Sequence, residues 1–443
     1  MIRAVLTLVC AAGLATAGSL DSLFQNCLDQ YHIPGIAACA VRADNVVWSG
    51  SYGYARLEDR VQVTDTTVFD LASVSKTATA AALMQLWEAG LFGLDDDVSD
   101  HLPFQVRHSR FPDSAITFRQ LLTHTSGIID YWPTFEQLLR QGDPDVPLRA
   151  FVEGYLVPGG EYYDSLHNFA PWPPGLLYTY SNMGIALAGY LVQTLADSFH
   201  HFTRDSLFLP LEMNRTVWYF ADIDTNTMAM PYRYTDSGFV RYGHQSLPDV
   251  PAGTMKSSAS ELGHFLAAML GYGNRHGVRV LDSSTVALMT TVQPPSNIGL
   301  VWHPGYVGSR PVWCHGGAWN GISTWIGFCR EDMTGAVVLC NVGGAHGAIE
   351  GVMLPALFDL AAGVSDENPA PLPSLPATTI CRDVLYMPPE VVPGRVAPRL
   401  VDVTGRTVME LRSGQNDVAG LGSGCYFILS PNRPARRVAI VGR

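Results

Sequence analysis

The chain has 443 residues, of which 47% are hydrophobic and 15% are charged, and its formal net charge is −12. This composition is typical of a folded globular protein and excludes bulk disorder, and the length is sufficient for two or three domains. The negative charge argues against nucleic acid or an anionic membrane surface as a main partner.

The first residues have the features of a secretory signal peptide. Arg3 supplies a short positive start, an apolar run follows to about residue 14, and Ala15-Thr16-Ala17 fits an A-x-A cleavage site. We therefore expect residues 1–17 to be a signal peptide and the protein to be exported to the periplasm, cell surface or medium; the alternative is a buried N-terminal helix. Neither this run nor any later apolar stretch is long enough to span a bilayer, so no membrane span is predicted.

The cysteines and histidines indicate no metal site. Removal of residues 1–17 leaves seven cysteines, an odd number, so at least one is unpaired in an exported protein. There is no CxxC pair and no Cys/His spacing typical of zinc, and most cysteines are expected to be buried as small hydrophobic residues. A bridge between Cys381 and Cys425 stays open. The adjacent pair His200-His201 is interpreted as surface, and no cofactor is implied.

Residues 19–363 mix helical and strand patterns with no fixed repeat and are predicted to form one domain. In chain order, the patterns predict a helix over 21–31, strands over 35–42 and 45–54, and an alanine-rich helix over 75–89. Near the end of this region, "STWIGFCR" and "GAVVLCNV" flank a polar turn and predict a hairpin. Strands at both ends with helices between them indicate an α/β (α+β) domain, in which distant segments close one sheet beside a helical region.

Beyond this domain the composition changes twice. The stretch "SDENPAPLPSLPATT" is rich in proline and has no helical period, so residues 364–380 are predicted to be a linker. Residues 381–443 have short alternating patterns punctuated by glycine, which predict a small all-β module. Residues 395–443 hold eight arginines against three acidic residues, a net charge of +5, whereas the rest of the chain carries −17. This change of sign supports a domain boundary.

A lysine stands three positions after Ser73, in a chain that otherwise prefers arginine. Only two of its 28 basic residues, Lys76 and Lys256, are lysine. Positions 73 and 76 share one helix face, with Cβ atoms about 5–6 Å apart. A serine hydroxyl needs a nearby base to act as a nucleophile, and a buried lysine can lose its proton whereas an arginine cannot. We interpret Ser73 and Lys76 as nucleophile and base; the alternative is a chance lysine on a helix surface.

Six blocks of sequence carry a family resemblance. They are, in order, "LASVSKTATAAALMQLWEAGLFGLDDDVSDHLP", "ITFRQLLTHTSGI", "PPGLLYTYSNMGIALAGYLV", "LPLEMNRT", "PAGTMKSSASELGHF" and "WCHGGAWNGISTWIGF". Together they resemble the serine β-lactamase-like superfamily, in the branch of class C β-lactamases, D-alanyl-D-alanine carboxypeptidases, D-aminopeptidases and related esterases, over roughly residues 20–345. The resemblance implies a β-lactamase/transpeptidase-like fold, with an antiparallel sheet flanked by helices and a helical subdomain.

The resemblance assigns roles to individual residues. Ser73 matches the acylated nucleophile and Lys76 its activating partner. Tyr180 and Asn182 match the Y-x-N element, in which the tyrosine shares the proton with Lys76 and the asparagine orients Lys76 and a substrate amide. Apart from the family, "YSN" would be interpreted as an ordinary turn leading into a helix.

The third element of the family is matched by His315-Gly316-Gly317, which is expected on the strand that lines the cleft. The N–H groups of Ser73 and Ala318 would form the oxyanion hole. Apart from the family, "HGG" would be interpreted as a glycine bulge in a strand. The β-lactamases of this branch usually have lysine in place of His315, and a histidine is only partly charged near neutral pH. This departure disfavours a dedicated β-lactamase.

Three other features of the domain are expected to lie outside the catalytic set. His124, in "THTSGI", is expected to be structural, and Lys256 matches a variable position and is expected to be solvated or at the edge of the cleft. Residues 131–172 are rich in aromatic residues and proline. We expect this segment to overhang the cleft and set substrate choice, the alternative being plain subdomain packing.

The tail "LVDVTGRTVMELRSGQNDVAGLGSGCYFIL…RRVAIVGR" has a resemblance of its own. Over about residues 397–443 it resembles the C-terminal sorting modules of bacterial type IX secretion, which are small β-sandwiches. The resemblance implies a secretion machinery as partner and delivery to the cell surface or medium, with or without removal of the tail. The alternative is an accessory β-domain.

These observations favour an exported serine hydrolase that acts through an acyl-enzyme on ester or amide substrates, including D-amino-acid peptide-like ones. A peptidase or esterase of broad acyl specificity is favoured over a β-lactamase. Two other classes stay open: a penicillin- or peptide-binding module that is acylated without turnover, and a structural surface protein built on a decayed hydrolase. The natural substrate and the oligomeric state are not determined by the sequence.

Overall fold

The computed structural model describes residues 17–363 and, beyond them, the segments 379–381, 384–387, 399–401, 406–412, 414–418, 420–421, 424–429 and 436–440. The chain divides into two compact units, Met1–Ser365 and Asp366–Arg443. The signal peptide predicted at 1–17 and the linker predicted at 364–380 fall almost entirely outside the described residues, so both stay predictions.

Helices and strands alternate irregularly through the first unit. Its described helices are α1 (Ala17–Gln30), α2 (Ser75–Glu88), α3 (Phe118–Leu122), α4 (Trp132–Leu138), α5 (Leu148–Leu156), α6 (Asn182–Ala196), α7 (Phe199–Thr203), α8 (Val250–Gly253), α9 (Ala259–Leu270), α10 (Ser283–Met289), α11 (His346–Ala348) and α12 (Leu354–Gly363). Its described strands are β1 (Gly35–Arg42), β2 (Asn45–Arg56), β3 (Val61–Gln62), β4 (Phe69–Asp70), β5 (Arg140–Gln141), β6 (Tyr232–Thr235), β7 (Gly238–Arg241), β8 (Gln245–Ser246), β9 (Lys256–Ser257), β10 (Asn274–Arg275), β11 (Val278–Arg279), β12 (His303–Val307), β13 (Arg310–Trp319), β14 (Ile322–Cys329) and β15 (Thr334–Cys340).

A seven-stranded antiparallel sheet is the frame of this unit. Its strand order is β12-β13-β14-β15-β1-β2-β3, so the N-terminal hairpin β1–β2 pairs with the C-terminal strand β15. The hairpin predicted near the end of the domain is β14–β15, with Phe328 opposite Gly335. The prediction that distant segments close one antiparallel sheet flanked by helices is confirmed.

Two layers of helices cover the two faces of the sheet, and β1 shows how the sequence produces them. Alternate residues of a strand point to opposite faces. Ala37, Cys39 and Val41 pack into the larger hydrophobic core, whereas Ile36 and Ala38 pack into a second core with helices α1 and α12. Both faces of β1 are therefore buried, which explains its nearly continuous apolar sequence.

The helical layer of the larger core is centred on α2, at the position of the predicted helix over 75–89. Alanines at 78, 80, 81 and 82 are all buried, so neighbouring helices can approach α2 closely from several sides. Helix α6 approaches α8 in the same way, because a Cβ atom on Gly189 would lie 2.2 Å from the ring of Pro251. These close contacts bring the segment around residue 252 beside the start of α2.

The described cysteines of the first unit, all beyond residue 17, are free thiols. Cys27, Cys39, Cys329 and Cys340 are buried, and Cys314 is half-buried. Across the described residues, no group of three or more His, Cys, Asp or Glu side chains is arranged to hold a metal ion. In the same part of the chain, no helix is both long enough and apolar enough to cross a membrane. The bridge considered between Cys381 and Cys425 falls on residues whose side chains are not described.

The described elements of the second unit are strands. They are β16 (Thr379–Cys381), β17 (Val384–Met387), β18 (Arg399–Val401), β19 (Thr407–Glu410), β20 (Gly414–Asp417), β21 (Gly424–Leu429) and β22 (Arg436–Ile440). Five of them form a sheet in the order β16-β22-β21-β18-β19, and β17 pairs with β20. The sorting function of this unit stays a prediction.

Candidate active site

Ser73 lies in a tight turn just before helix α2. The preceding residue, Ala72, has a φ of 48°, a left-handed conformation that costs a non-glycine residue about 1–3 kcal/mol. Strand β14 and the residue before β9 hold this turn: the hydroxyl of Thr324 donates to the carbonyl of Leu71 at 2.7 Å, and the Leu71 N–H donates to the carbonyl of Met255 at 2.9 Å. The turn presents Ser73 at the wall of a cavity.

Lys76 is fully buried, one helical turn after Ser73. Its Nζ lies 3.0 Å from Ser73 Oγ, 2.7 Å from Asn182 Oδ1 and 2.6 Å from the carbonyl oxygen of Ala252. The alternative of a chance surface lysine is therefore wrong. Ala252 belongs to α8, so the close packing of α8 on α2 and α6 supplies one of the three oxygens around the amine.

Asn182 begins helix α6, and Asp130 fixes the orientation of its side chain. The carboxylate of Asp130 accepts hydrogen bonds from Asn182 Nδ2, from the backbone N–H groups of Asn182 and Met183, each at 2.9 Å, and from Ser181 Oγ at 3.2 Å. It thereby caps the helix N-terminus. Burial raises the pKa of Asp130, and these hydrogen bonds to the charged form oppose the rise.

Tyr180 lies beside the amine, as the family resemblance implies. Its ring centroid is 5.0 Å from Lys76 Nζ and 4.4 Å from the ring of His124. His124 accepts a hydrogen bond at Nδ1 from the Ser181 N–H, 3.2 Å away. Burial, together with the charge of Lys76, holds the pKa of His124 well below its usual range, so this imidazole is neutral. His124 thus supports the loop that carries Tyr180.

Of the two glycines in the third element, Gly317 is required because its position has no room for a side chain. Strand β13 passes so close to the serine turn that a Cβ atom on Gly317 would lie 2.2 Å from Thr324 Oγ1, 2.3 Å from the Leu71 carbonyl oxygen and 3.3 Å from the Ser73 nitrogen. A Cβ atom on Gly316 would meet nothing closer than 3.7 Å. Gly317 therefore permits the backbone around Ala318 to run beside Ser73, which is the arrangement an oxyanion hole needs.

His315 is neutral at neutral pH, so the expectation that it is partly charged is wrong. The side chain is only 3% exposed. Burial, reinforced by the nearby His303 and Lys76, lowers the pKa of His315 to about 3. Its Nδ1 lies 2.7 Å from the Gly316 carbonyl and donates to it, which leaves Nε2 as an acceptor without a partner. A lone acceptor cannot anchor a carboxylate.

The cavity in front of Ser73 has a volume of about 880 Å³. One wall comes from the segment 131–172, through Trp132, Pro171 and Trp172. The ring of Trp132 stacks on that of Trp319 from strand β13, with centroids 5.8 Å apart. The segment therefore reaches the cleft at these residues, whereas its Phe135 and Phe151 pack in the larger core.

Three carboxyl groups line the cavity, from Asp70, Asp130 and Asp249. Three histidines line it as well, at positions 303, 315 and 346, but no lysine or arginine of the described chain is among the lining residues. Sequence analysis missed Asp130 and Asp249. Asp130 stands two residues after the block "THTSGI", and Asp249 stands two residues before "PAGTMK", so the family blocks were the available signal.

Lys256 is 1% exposed, and the expectation of a solvated or cleft-edge residue is wrong. Its Nζ donates to the carbonyl oxygens of Thr254 and Trp218 and lies 3.8 Å from Asp70 Oδ1. It also lies 3.8 Å from the ring centroid of Phe220. Burial lowers the pKa of Lys256, and Asp70 opposes this change. Pairing of strands β4 and β9 produces the contact, since Asp70 stands opposite Lys256.

The fold and the Ser-Lys-Tyr arrangement define the chain as a member of a known class. The family model described as Beta-lactamase matches residues 20–352, about three quarters of the chain. The protein belongs to this family, within the β-lactamase/transpeptidase-like serine hydrolase superfamily.

Individual relatives are distant. The chain is 25% identical over 327 residues to "Protein flp" of Staphylococcus aureus (strain N315), a match that covers 73% of this chain and 62% of that protein's length. Two solved structures share the fold. The octameric penicillin-binding protein homologue from Pyrococcus abyssi superposes with a TM-score of 0.62 at 20% identity. The match covers 96% of this chain and 90% of that protein's chain. The D-amino acid amidase from Ochrobactrum anthropi SV3 superposes with a TM-score of 0.62 at 21% identity. This match covers 77% of this chain and 98% of the amidase chain.

Proposed function

We propose that the protein is a serine hydrolase that forms an acyl-enzyme at Ser73 on amide or ester substrates. The set of three oxygens around Lys76 Nζ carries this proposal. Two of them, Asn182 Oδ1 and the Ala252 carbonyl, can only accept hydrogen bonds, and a neutral amine has two N–H groups to donate. In its charged form the amine also donates to Ser73 Oγ, 3.0 Å away. Once the amine is neutral, its lone pair faces this oxygen and can accept the hydroxyl proton.

The reaction follows from this arrangement. Ser73 Oγ attacks the substrate carbonyl as its proton passes to Lys76, and the N–H groups of Ser73 and Ala318 stabilise the oxyanion. The C–N or C–O bond then breaks, and the leaving group takes the proton, with Tyr180 beside Lys76 as the second proton carrier. A water molecule attacks the acyl-enzyme ester with the same groups acting as base. The product acid leaves, and the Ser73 hydroxyl is restored.

The charges of the cavity favour a peptidase or esterase over a β-lactamase. His315 is uncharged at neutral pH, and no lysine or arginine stands among the described lining residues, so a substrate carboxylate has no fixed cation there. The fold shared with a D-amino acid amidase and a penicillin-binding protein homologue is consistent with D-amino-acid amides or peptides as substrates. The placement in the branch of class C β-lactamases, D-alanyl-D-alanine carboxypeptidases, D-aminopeptidases and related esterases is likewise part of this proposal.

A fluorophosphonate probe with intact-mass detection tests the nucleophile. We expect one probe adduct on the wild type and none on Ser73→Ala or Lys76→Arg, because arginine keeps the charge but cannot accept the proton. Ser284→Ala, at an exposed serine on α10, is the matched control and should label like the wild type. Labelling that survives Lys76→Arg would contradict Lys76 as the base, and labelling that survives Ser73→Ala would contradict the proposal itself.

Turnover distinguishes a hydrolase from a binding module that is acylated once. The wild type is incubated with an excess of an amide, an ester and a penicillin, and the product and the mass of the protein are followed over time. We expect many products per enzyme from the amide or ester and slow reaction with the penicillin. A stable acyl adduct with no further product would favour the penicillin- or peptide-binding alternative.

Export is the second part of the proposal. It rests on the signal-peptide pattern over 1–17 and on the resemblance of residues 397–443 to sorting modules, through which a secretion machinery would handle the chain. Intact mass and N-terminal sequencing of the protein recovered from its own cells and medium test both. We expect a chain that lacks residues 1–17; a chain retained inside the cells and still beginning at Met1 would contradict export.

A further inference from the structure

Asp249 is a buried acid whose carboxyl group faces the catalytic cavity without a partner. The residue precedes helix α8, lines the cavity and is 5% exposed. Its backbone carbonyl accepts a hydrogen bond from the Ala252 N–H, but its side chain makes no cap bond to the helix. Within the described chain, no other residue donates a hydrogen bond to its carboxyl oxygens. Buried carboxylates without a partner are costly, so this position requires an explanation.

The other two acids of the cavity already have partners within the protein. Asp130 receives hydrogen bonds from the start of α6 and from Asn182. Asp70 has Lys256 Nζ at 3.8 Å and His244 Nδ1 at 3.6 Å. Asp249 is thus the lining carboxyl group that is available to a ligand.

The surroundings of Asp249 disfavour an anionic ligand and accept a cation. Burial raises the pKa of Asp249 to about 7, although the Lys76 charge acts in the opposite direction. Burial also lowers the pKa values of His303 and His315, so these two lining imidazoles are neutral. Lys76 directs its own hydrogen-bonding capacity to Ser73, Asn182 and Ala252, away from the ligand space. A ligand ammonium group would therefore meet the carboxyl group of Asp249, and no lysine or arginine stands among the described lining residues to compete with it.

The wall of the cavity adds a second requirement. Trp132 and Trp319 stack with an interplanar angle of 20°, and Ile129, Leu247 and Ile322 also line the space. Apolar lining of this kind stabilises a large apolar or aromatic group by burial, and the faces of tryptophan rings also attract cations.

We propose that the cavity takes acyl substrates with a free primary ammonium group, which pairs with Asp249, and an apolar side chain, which packs along Trp132 and Trp319. The substrates would be amides, esters or peptides of apolar amino acids with an unblocked amino group. This inference rests on the proposed function, because Ser73 must attack the carbonyl of the same bound residue. Asp249 is then a specificity-determining residue.

The test compares substrates with and without the amino group: the two enantiomers of phenylalanine p-nitroanilide, and 3-phenylpropionic acid p-nitroanilide. We expect the wild type to hydrolyse the better of the two enantiomers with a kcat/KM about 10-fold or more above that for 3-phenylpropionic acid p-nitroanilide. We expect Asp249→Asn to reduce this ratio to near one. Asp236→Asn, at an exposed acid in the β6–β7 turn, is the control and should keep the wild-type ratio. Equal hydrolysis of both substrates by the wild type, or a ratio retained in Asp249→Asn, would overturn the proposal.

A second measurement needs no variant. Probe labelling of wild-type Ser73 is followed in the presence of 2-phenylethylamine, a cation, or 3-phenylpropanoate, an anion of similar size. Protection by the amine alone supports the ammonium site, and equal protection by both or protection by the anion alone overturns it. Absence of labelling in the unprotected wild type would instead contradict the proposed function, so the two failures are distinguishable.

Discussion

The Asp130 carboxylate determines which way the side-chain amide of Asn182 faces. It accepts hydrogen bonds from the Asn182 backbone N–H and from Asn182 Nδ2, both at 2.9 Å, so Asn182 Oδ1 must point at Lys76 Nζ, 2.7 Å away. A four-residue chain of contacts thus runs from Asp130 through Asn182 and Lys76 to Ser73 Oγ. Asp130 is a positioning residue, because it acts on the nucleophile only through this chain.

Replacement Asp130→Asn should therefore weaken Ser73 without removing it. The new amide can donate toward Asn182 and no longer fixes its orientation, and it leaves N–H groups at the start of α6 without an acceptor. We expect the rate of probe labelling to fall by about 10- to 100-fold and the free energy of unfolding to fall by about 1–2 kcal/mol. Intact-mass measurements on samples quenched at successive times give the labelling rate, and urea unfolding gives the free energy of unfolding. A labelling rate equal to that of the wild type would show that Asn182 is oriented by other contacts.

The two adjacent glycines of strand β13 should respond differently to a methyl group. Gly317→Ala places a Cβ atom 2.2 Å from Thr324 Oγ1 and 2.3 Å from the Leu71 carbonyl oxygen, so the strand must move away from the serine turn. We expect a loss of about 1–3 kcal/mol in the free energy of unfolding and slower labelling of Ser73.

Gly316→Ala is the matched control for stability, because its Cβ atom would make only ordinary contacts, at 3.7 Å and beyond. Its urea midpoint should stay close to that of the wild type. If both variants unfold at the same urea concentration, close approach of β13 to Ser73 is not what requires Gly317.

Acid should destabilise the protein partly through His315. Its pKa is about 3 in the folded state and about 6.5 in an unfolded chain, so the unfolded state binds the extra proton between these values. Stability from this group is complete above about pH 6.5 and is lost as the pH falls toward 3. His315→Gln lacks this titration, so its free energy of unfolding should fall less between pH 7 and pH 4, by about 2 kcal/mol or more.

Chemical denaturation at the two pH values measures this difference. His201→Gln, at an exposed position on α7, is the control and should lose as much stability as the wild type. An equal acid loss in His315→Gln and the wild type would mean that folding does not lower the pKa of His315.

The buried pair of Lys256 and Asp70 should be coupled in stability. Lys256→Met leaves a 7% exposed carboxyl group without its ammonium partner, so we expect a loss of about 3 kcal/mol or more. The double variant Lys256→Met/Asp70→Asn should be more stable than the sum of the two single losses predicts, since no uncompensated charge is left. A double-mutant cycle by urea unfolding measures the coupling.

The exposed pair of Arg140 and Asp145, with atoms 2.7 Å apart, provides the comparison. Removal of this pair through Asp145→Asn should cost less than about 1 kcal/mol, because exposed pairs are screened by water. If the losses of stability in the Lys256/Asp70 double-mutant cycle are strictly additive, Lys256 is held by its carbonyl partners alone.

Sequence periodicity and composition by themselves predicted much of the frame. The apolar runs of β1, β14 and β15, the alanine-rich helix α2 and the turn between the last two strands are all local patterns, and local patterns specify local elements. The spacing of Ser73 and Lys76 is also a local pattern, because helix geometry was enough to predict that the two side chains lie together, although Ser73 itself lies in the turn before α2. The family blocks then named Tyr180, Asn182 and the His-Gly-Gly element before any distance was known.

Only the tertiary structure decided the environments of these groups. Asp130, Asp249 and Lys256 are separated from Ser73 by dozens to nearly two hundred residues, and each looks in the sequence like an ordinary surface charge. Tertiary packing brings Asp130 and Asp249 to the cleft. Pairing of β4 with β9 buries Lys256 beside Asp70. Burial decides whether His315 carries a proton and whether Asp249 is left without a partner, and burial is a property of the whole fold that no local sequence pattern encodes.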